Sequence, residues 1–187
     1  MKLRTKELIL CALFCALTAV GAQLTIPIPY GAITLQLLFM LLAGLMLPPL
    51  MSFLSMAVYV LLGLVGAPVF AGFSGGFSSI TSPTFGFVIG LALSAPLISA
   101  LFRALKKRWK LFPAALVAGL AGILVTYLCG AIYGYFVMTL VLTKEVTLWF
   151  ILWNWCLIYL PFDAAKLLAA AAIWSAIPYR IVLFSAW

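Results

Sequence analysis

The chain has 187 residues, of which 67% are hydrophobic and 7% charged, and its mean hydropathy is +1.30. Because a soluble domain is about 45–50% apolar and about 25% charged, this composition excludes a soluble fold and predicts an integral membrane protein. The formal net charge of +8 would suit nucleic-acid binding, but no basic surface interleaved with aromatic residues supports that function, and we expect no nucleic-acid partner.

The apolar segments predict a single domain over residues 1–187 with six membrane-spanning helices. Transmembrane strands would alternate in polarity, whereas these segments are continuously apolar, so the predicted fold class is an all-α integral membrane protein. Proline, glycine and charged residues separate the segments. Their predicted ranges are 6–24, 34–48, 50–66, 83–102, 113–141 and 149–176.

The basic residues predict the orientation of the helices. Residues 103–110 contain five lysines and arginines between two apolar segments, which is typical of a cytoplasmic loop. Six crossings with both termini cytoplasmic leave Lys144 as the one basic residue on the outer side. Merging the second and third segments would give five crossings and move the basic cluster outside, so six crossings are preferred.

This topology predicts three outer loops over a ligand pocket, at residues 25–33, 67–82 and 143–147. The second, which we call the glycine-rich loop, contains Gly72, Gly75 and Gly76 together with several hydroxyl side chains. Glycine allows backbone donors to approach a ligand closely, and loops of this length are usually functional or disordered. A cover over the pocket and a passive connection remain equally compatible with the residues alone.

Asp163 and Lys166 lie well inside the last apolar segment, where each ion costs roughly 2.5–3.5 kcal/mol on insertion scales. Their spacing of three places both side chains on one helical face. A structural ion pair is the alternative, but such pairs often add little stability, so we interpret the two ions as part of a binding site. Pro161, two residues earlier, predicts a kink or local unwinding.

Aromatic and polar side chains in the apolar segments could complete this pocket. Each of them is individually more typical of an interfacial anchor or a packing residue. They are Gln36, Tyr127, Tyr133, Asn154, Trp155 and Tyr159.

Several kinds of chemistry are absent from the sequence. It contains no His, its four Cys show no Cys-x-x-Cys spacing, and it has no Walker-type phosphate-binding motif. We therefore expect no metal, no cofactor, no ATP hydrolysis and no enzymatic activity. Ala12 and Ala16 form a small-xxx-small motif that allows another membrane helix to approach closely.

Three stretches of the sequence carry recognisable motifs. The first comprises Ile26-Pro-Ile-Pro-Tyr, Ile33-Thr-Leu-Gln36 and Leu42-Ala-Gly44. The second comprises Gly66-Ala-Pro-Val-Phe-Ala-Gly72, Gly75-Gly76 and Ser82-Pro-Thr-Phe-Gly86. The third is Pro161-Phe-Asp-Ala-Ala-Lys166. Together they resemble the BioY family, the biotin-specific substrate-binding (S) components of energy-coupling factor (ECF) transporters, and the third is similar to that family's Pro-Gly-Asp-x-x-Lys signature. Phe162 stands where that family usually has Gly, and Ser74 where an amide side chain is common.

The resemblance implies that the chain binds biotin and takes part in its uptake across the cytoplasmic membrane of a prokaryote. It implies a transmembrane T component and two ABC-type ATPases as partners, with Ala12 and Ala16 at the surface that meets the T component. An S component for a different vitamin and a solitary proton-coupled carrier are the alternatives. The site residues implied or inferred are Asp163, Lys166, Ser74, Gln36, Tyr133, Asn154, Gly72 and Gly75.

Overall fold

The protein is described here by a computed structural model that covers residues 5–28 and 31–177. Some residues used in the sequence-based prediction of topology and motifs lie outside this part of the chain. They are Lys2, Arg4, Pro29, Tyr30 and Arg180.

Helices make up most of the described chain and follow the predicted apolar segments to within a few residues. The last predicted segment contains two helices rather than one. The helices are α1 (Thr5–Gln23), α2 (Gln36–Met46), α3 (Pro49–Val65), α4 (Phe85–Leu105), α5 (Leu111–Phe136), α6 (Leu148–Leu152) and α7 (Leu160–Ala176).

Four helical stretches within residues 5–28 and 31–177 are long and apolar enough to cross a membrane: Thr5–Gln23, Phe85–Leu105, Leu111–Val141 and Leu148–Ala176. Helices α2 and α3 are also apolar but have 11 and 17 residues. A crossing normally needs about 20 residues, so each of these two helices is shorter than the usual span.

The predicted outer loop at residues 25–33 contains two short paired strands, a β-hairpin, which the all-α prediction did not include. Strand β1 (Thr25–Ile28) pairs antiparallel with β2 (Gly31–Thr34), with Thr25 opposite Thr34 and Ile26 opposite Ile33. The β-branched residues in both strands favour this conformation. Pairing gives hydrogen-bond partners to backbone groups that an apolar loop would otherwise leave without partners. The hairpin was not predicted, because the neighbouring segments show a helical pattern.

Helices α4 and α5 pack tightly along much of their length. A Cβ atom at Gly90 would lie 2.9 Å from the Cα atom of Thr126, so only glycine permits this approach. One turn further along α4, the hydroxyls of Ser94 and Thr126 are hydrogen-bonded at 2.8 Å. Small residues and interhelical hydroxyl contacts are typical of membrane helix packing, and here they fix the position of Tyr127 on α5.

The regular α-helix is interrupted just before Asp163, close to the position at which Pro161 predicted a kink or local unwinding. A π-helical turn at Trp153–Leu157 follows α6, and α7 begins at Leu160 with Pro161 in its first turn. Proline is tolerated there because the first helical N–H groups have no partner within the helix. The backbone N–H of Asp163 then donates to the carbonyl of Tyr159 at 2.9 Å, which places Asp163 at the end of the first turn of α7.

Candidate functional site

A cavity of about 520 Å³ lies between the hairpin, the glycine-rich loop and helices α2, α4, α5 and α7. This volume is within the range of about 300–1,000 Å³ that is usual for small-molecule sites. The side chains around it divide into an ion pair, an aromatic wall and a group of hydroxyls.

Asp163 and Lys166 form the charged part of the cavity lining. The Lys166 Nζ atom lies 2.6 Å from Asp163 Oδ1, and the two residues are 5% and 8% exposed. Helix α7 brings them together because residues three apart are neighbours on one face. No other charged residue is found among the residues that line this cavity, so its net charge is zero while both groups are ionised.

Tyr127 fixes the second oxygen of this carboxylate. Its hydroxyl donates to Asp163 Oδ2 at 2.6 Å across the interface between α5 and α7. Both oxygens of Asp163 therefore have a donor, which a buried carboxylate requires to avoid a large desolvation penalty. Each oxygen keeps further acceptor capacity, and the ammonium of Lys166 has three donors, of which one is used by Asp163.

Aromatic rings surround the ion pair and give the cavity an apolar wall. The rings of Phe87 and Tyr127 pack edge to face with centroids 6.3 Å apart, and those of Phe87 and Trp155 at 6.5 Å. Such pairs add about 0.5–1.5 kcal/mol beyond the burial of their area. Phe70 and Phe85 continue the wall toward the glycine-rich loop, with centroids 5.9 Å apart.

Hydroxyl side chains line the end of the cavity nearest the loops. In the glycine-rich loop, Ser74 Oγ donates to the carbonyl of Ala71 at 2.9 Å. The hydroxyls of Ser82 and Thr84 are 3.0 Å apart. The lining hydroxyls at this end are Thr34, Ser74, Ser78, Ser79, Ser82 and Thr84.

Gln36 connects the hairpin to the glycine-rich loop through Tyr59. Its Oε1 atom accepts from Thr34 Oγ1 at 2.9 Å, and its Nε2 group donates to the hydroxyl of Tyr59. That hydroxyl in turn donates to the carbonyl of Val69 at 3.0 Å. Gln36 lines the cavity, but its amide is also part of this chain of hydrogen bonds, so its position depends on both loops.

Tyr159 supports the hairpin from the opposite side. Its hydroxyl contacts Gly31, where an added Cβ atom would collide with it. Because Tyr159 immediately precedes α7, the hairpin contacts the segment that positions Asp163.

Of the predicted site residues, the structure places Asp163, Lys166, Gln36, Ser74 and Gly75 around the cavity. These five come from α2, α7 and the glycine-rich loop, which are far apart in sequence.

Tyr133, Asn154 and Gly72 are not among the cavity-lining residues. The hydroxyl of Tyr133 donates to the carbonyl of Ile80 at 2.5 Å, and the side chain of Asn154 donates to the carbonyl of Phe150 at 2.8 Å. Gly72 has φ +70°, and a Cβ atom there would meet nothing within 4 Å. Tyr133 and Gly72 therefore shape the glycine-rich loop, and Asn154 bonds within its own helical segment.

Some lining residues on helices α4 and α5 were not predicted. On α4 and just before it, Thr84, Val88 and Leu91 are spaced by four and three, so they share one helical face toward the cavity. Phe87 and Thr126 also line the cavity. The helical spacing was visible in the sequence, but apolar residues surround every face of these helices, so it did not identify the face that meets the cavity.

Ala12 and Ala16 lie on an exposed face of α1. The same face carries Leu13, which is 48% exposed, and Leu8 and Val20 are also exposed. Phe162, at the position of the expected glycine, is 44% exposed, and its φ is not positive. The substitution of glycine by phenylalanine therefore introduces no backbone strain beside Asp163.

Comparison with known proteins agrees with this architecture. A model of the BioY family matches residues 1–181. A probable biotin transporter BioY of Pyrococcus horikoshii is 45% identical over 128 residues, which cover 68% of this chain and 74% of that protein. The biotin transporter BioY of Thermotoga maritima is 36% identical over 169 residues, covering 90% and 93%.

A solved structure has the same fold. The crystal structure of the S-component for biotin from an ECF-type ABC transporter superposes with a TM-score of 0.81 at 24% identity and covers 93% of each chain. The family match over residues 1–181 means that the chain belongs to the BioY family.

The ion pair predicts that removing one partner destabilises the protein more than replacing both. Lys166→Met should destabilise the protein by about 3–5 kcal/mol, because it leaves the Asp163 carboxylate buried without its counterion. The double variant Asp163→Asn/Lys166→Met should recover most of that loss. Unfolding of the detergent-solubilised protein measures both, and a double variant less stable than Lys166→Met would contradict the assigned cause.

Proposed function

We propose that this BioY-family protein binds biotin in the cavity between its helices and loops, and mediates biotin uptake across the cytoplasmic membrane of a prokaryote as the S component of an ECF-type transporter. The names of its relatives and the structural neighbour support the substrate. The chemistry of the cavity provides an independent argument.

The observation that carries the proposal is a neutral pair of a carboxylate and an ammonium beside an aromatic wall. A ureido ring has two N–H donors and one carbonyl acceptor but no net charge. The free acceptor capacity of Asp163 suits the N–H groups, and the remaining donors of Lys166 suit the carbonyl. A ligand with a net charge at this position would leave an uncompensated ion in an apolar site, which is costly.

The remainder of biotin fits the rest of the lining. The thioether ring would pack against Phe87, Trp155 and neighbouring apolar side chains. The valerate carboxylate would then point toward the hydroxyls of the hairpin and the glycine-rich loop. In this pose Asp163, Lys166, Ser74, Gln36 and Gly75 contact or adjoin the ligand, while Tyr133, Asn154 and Gly72 lie outside the cavity.

We propose six membrane crossings with both termini cytoplasmic. The basic cluster at residues 103–110 precedes α5, and Lys144 follows the helical stretch Leu111–Val141, so the two lie at opposite ends of one long span. The positive-inside rule then places the cluster in the cytoplasm and Lys144 outside. The short helices α2 and α3 would each make one crossing, with the hairpin before α2 and the glycine-rich loop after α3 on the outer side.

The partners proposed are a transmembrane T component and two ABC-type ATPases. The sequence has no phosphate-binding motif of its own, so the energy for uptake would come from the ATPases, and no cofactor is needed. The exposed small residues Ala12 and Ala16 on α1 would allow a helix of the T component to approach closely.

Asp163→Asn should weaken biotin binding by roughly tenfold or more, because one charge-assisted hydrogen bond to the ligand is lost. Equilibrium binding to detergent-purified protein measures the effect. As a control, Asn154→Leu removes a polar side chain from the same apolar segment but outside the cavity. The affinity of this variant for biotin should stay within about twofold of the wild type, because no hydrogen bond to the ligand is lost. Unchanged affinity in Asp163→Asn would reject the assigned site.

Biotin methyl ester should bind with nearly the same affinity as biotin. In the proposed pose the valerate carboxylate faces the loops and makes no ion pair with Lys166. A large loss of affinity for the ester would support the reverse pose, in which Lys166 pairs with the carboxylate. Competition between the ester and labelled biotin on the purified protein provides the measurement.

Concentrative uptake into liposomes should require the T component and the ATPases with ATP. The chain alone in liposomes with an imposed pH gradient should show no accumulation of labelled biotin. Accumulation driven by the gradient would favour the solitary carrier. Identification of co-purified ligand by mass spectrometry distinguishes biotin from another vitamin.

A further inference from the structure

Gln23, the last residue of α1, makes hydrogen bonds to the glycine-rich loop. Its Nε2 group donates to two carbonyls of the loop, those of Phe70 at 3.1 Å and Pro68 at 3.3 Å, and lies 3.5 Å from the carbonyl of Ala19 on its own helix. Its Oε1 atom accepts from the backbone N–H of Phe73 at 2.8 Å. One half-buried side chain therefore bonds both arms of the turn in residues 68–73.

This turn has an unfavourable backbone conformation. Gly72 and Phe73 both have positive φ, +70° and +56°. The left-handed region is accessible to glycine, but a bulky residue such as Phe73 adopts it at a cost of about 1–3 kcal/mol and only when the surroundings impose it. The bond from the Phe73 N–H to Gln23 and the bond from the Phe70 N–H to the carbonyl of Ser74 at 3.0 Å hold the turn closed.

The same turn and the two residues that follow it form part of the cavity wall. Phe70, Ala71, Ser74 and Gly75 all line the cavity, and the ring of Phe70 packs edge to face on Tyr59 with centroids 5.6 Å apart. The carbonyls of residues 68 to 70 are thus held from two sides, since Tyr59 bonds the carbonyl of Val69 and Gln23 bonds those of its neighbours.

We propose that Gln23 is a positioning residue that holds the glycine-rich loop closed over the cavity and thereby slows ligand release. This inference rests on the proposed function for the identity of the ligand, but not for the loop contacts. Gln23 itself does not line the cavity, so its effect is transmitted through the loop. Its loss should change the dissociation rate constant more than the association rate constant, because an ordered cover mainly limits escape.

Only an amide of this length supplies both functions of Gln23. Leucine at this position removes donor and acceptor together. A carboxylate keeps the acceptor for the Phe73 N–H but faces two carbonyl oxygens without a donor, a repulsive arrangement that protonation of the carboxyl relieves. Gln23→Glu therefore has a pH-dependent phenotype that a loss of packing would not produce.

The experiment compares Gln23→Leu, Gln23→Glu and the wild type, with Leu24→Ala as a matched control. Leu24 is the adjacent residue and is 55% exposed. Biotin dissociation from the purified protein should be roughly tenfold faster in Gln23→Leu, the scale expected when one or two net hydrogen bonds are lost. Leu24→Ala should dissociate like the wild type. In Gln23→Glu, the ratio of its dissociation rate to that of the wild type should fall as the pH is lowered from 7.5 to 5.

Hydrogen–deuterium exchange of a peptide covering residues 68–76, measured without biotin, tests the loop contacts independently of the ligand. Exchange should be faster in Gln23→Leu than in the wild type and in Leu24→Ala. If the wild type does not bind biotin, the proposed function fails while the exchange result still tests Gln23. If the wild type binds biotin but Gln23→Leu shows unchanged dissociation or unchanged exchange, or if Gln23→Glu shows no pH-dependent ratio, the role of Gln23 is overturned.

Discussion

The architecture depends on the requirement that an ion buried among apolar helices must be paired and hydrogen-bonded. Asp163 meets this requirement through Lys166 on its own helix and Tyr127 on α5. The position of Tyr127 depends in turn on the close packing of α4 and α5 around Gly90 and Thr126. The cavity thus lies at the interface of α5 and α7, where the Asp163 carboxylate finds its hydrogen-bond donors. The hairpin, the glycine-rich loop, α2 and α4 form its other walls.

The loops over the cavity are held by side chains from several helices rather than by bonds within the loops alone. Tyr59 on α3 connects Gln36 beside the hairpin to the glycine-rich loop, and Tyr159 next to α7 contacts Gly31 of the hairpin. Gln23 bonds both arms of the turn at residues 68–73 of the glycine-rich loop. A displacement of one of these helices would therefore be transmitted to the loops through a small number of polar contacts.

The sequence predicted the helical segments, an irregularity in the helix before Asp163 and the placement of Asp163 and Lys166 on one helical face, because each follows from local spacing or from a proline. It did not predict the hairpin, whose strands are short and apolar like the helices beside them. Tyr133 and Asn154 were selected as polar groups in apolar segments, but both donate to backbone carbonyls. Tyr133 donates to Ile80, which only the folded chain brings within reach, and Asn154 donates to Phe150, one turn earlier in its own helical segment. Long-range contacts such as that of Gln23 leave no periodic signal.

The zero net charge of the buried pair has an electrical consequence. The membrane potential acts on a single elementary charge with about 2.3 kcal/mol per 100 mV across the full bilayer. Asp163 and Lys166 carry opposite charges 2.6 Å apart, so the field exerts nearly cancelling forces on them and can only weakly orient their dipole. A cell that depolarises would therefore leave this part of the protein almost undisturbed.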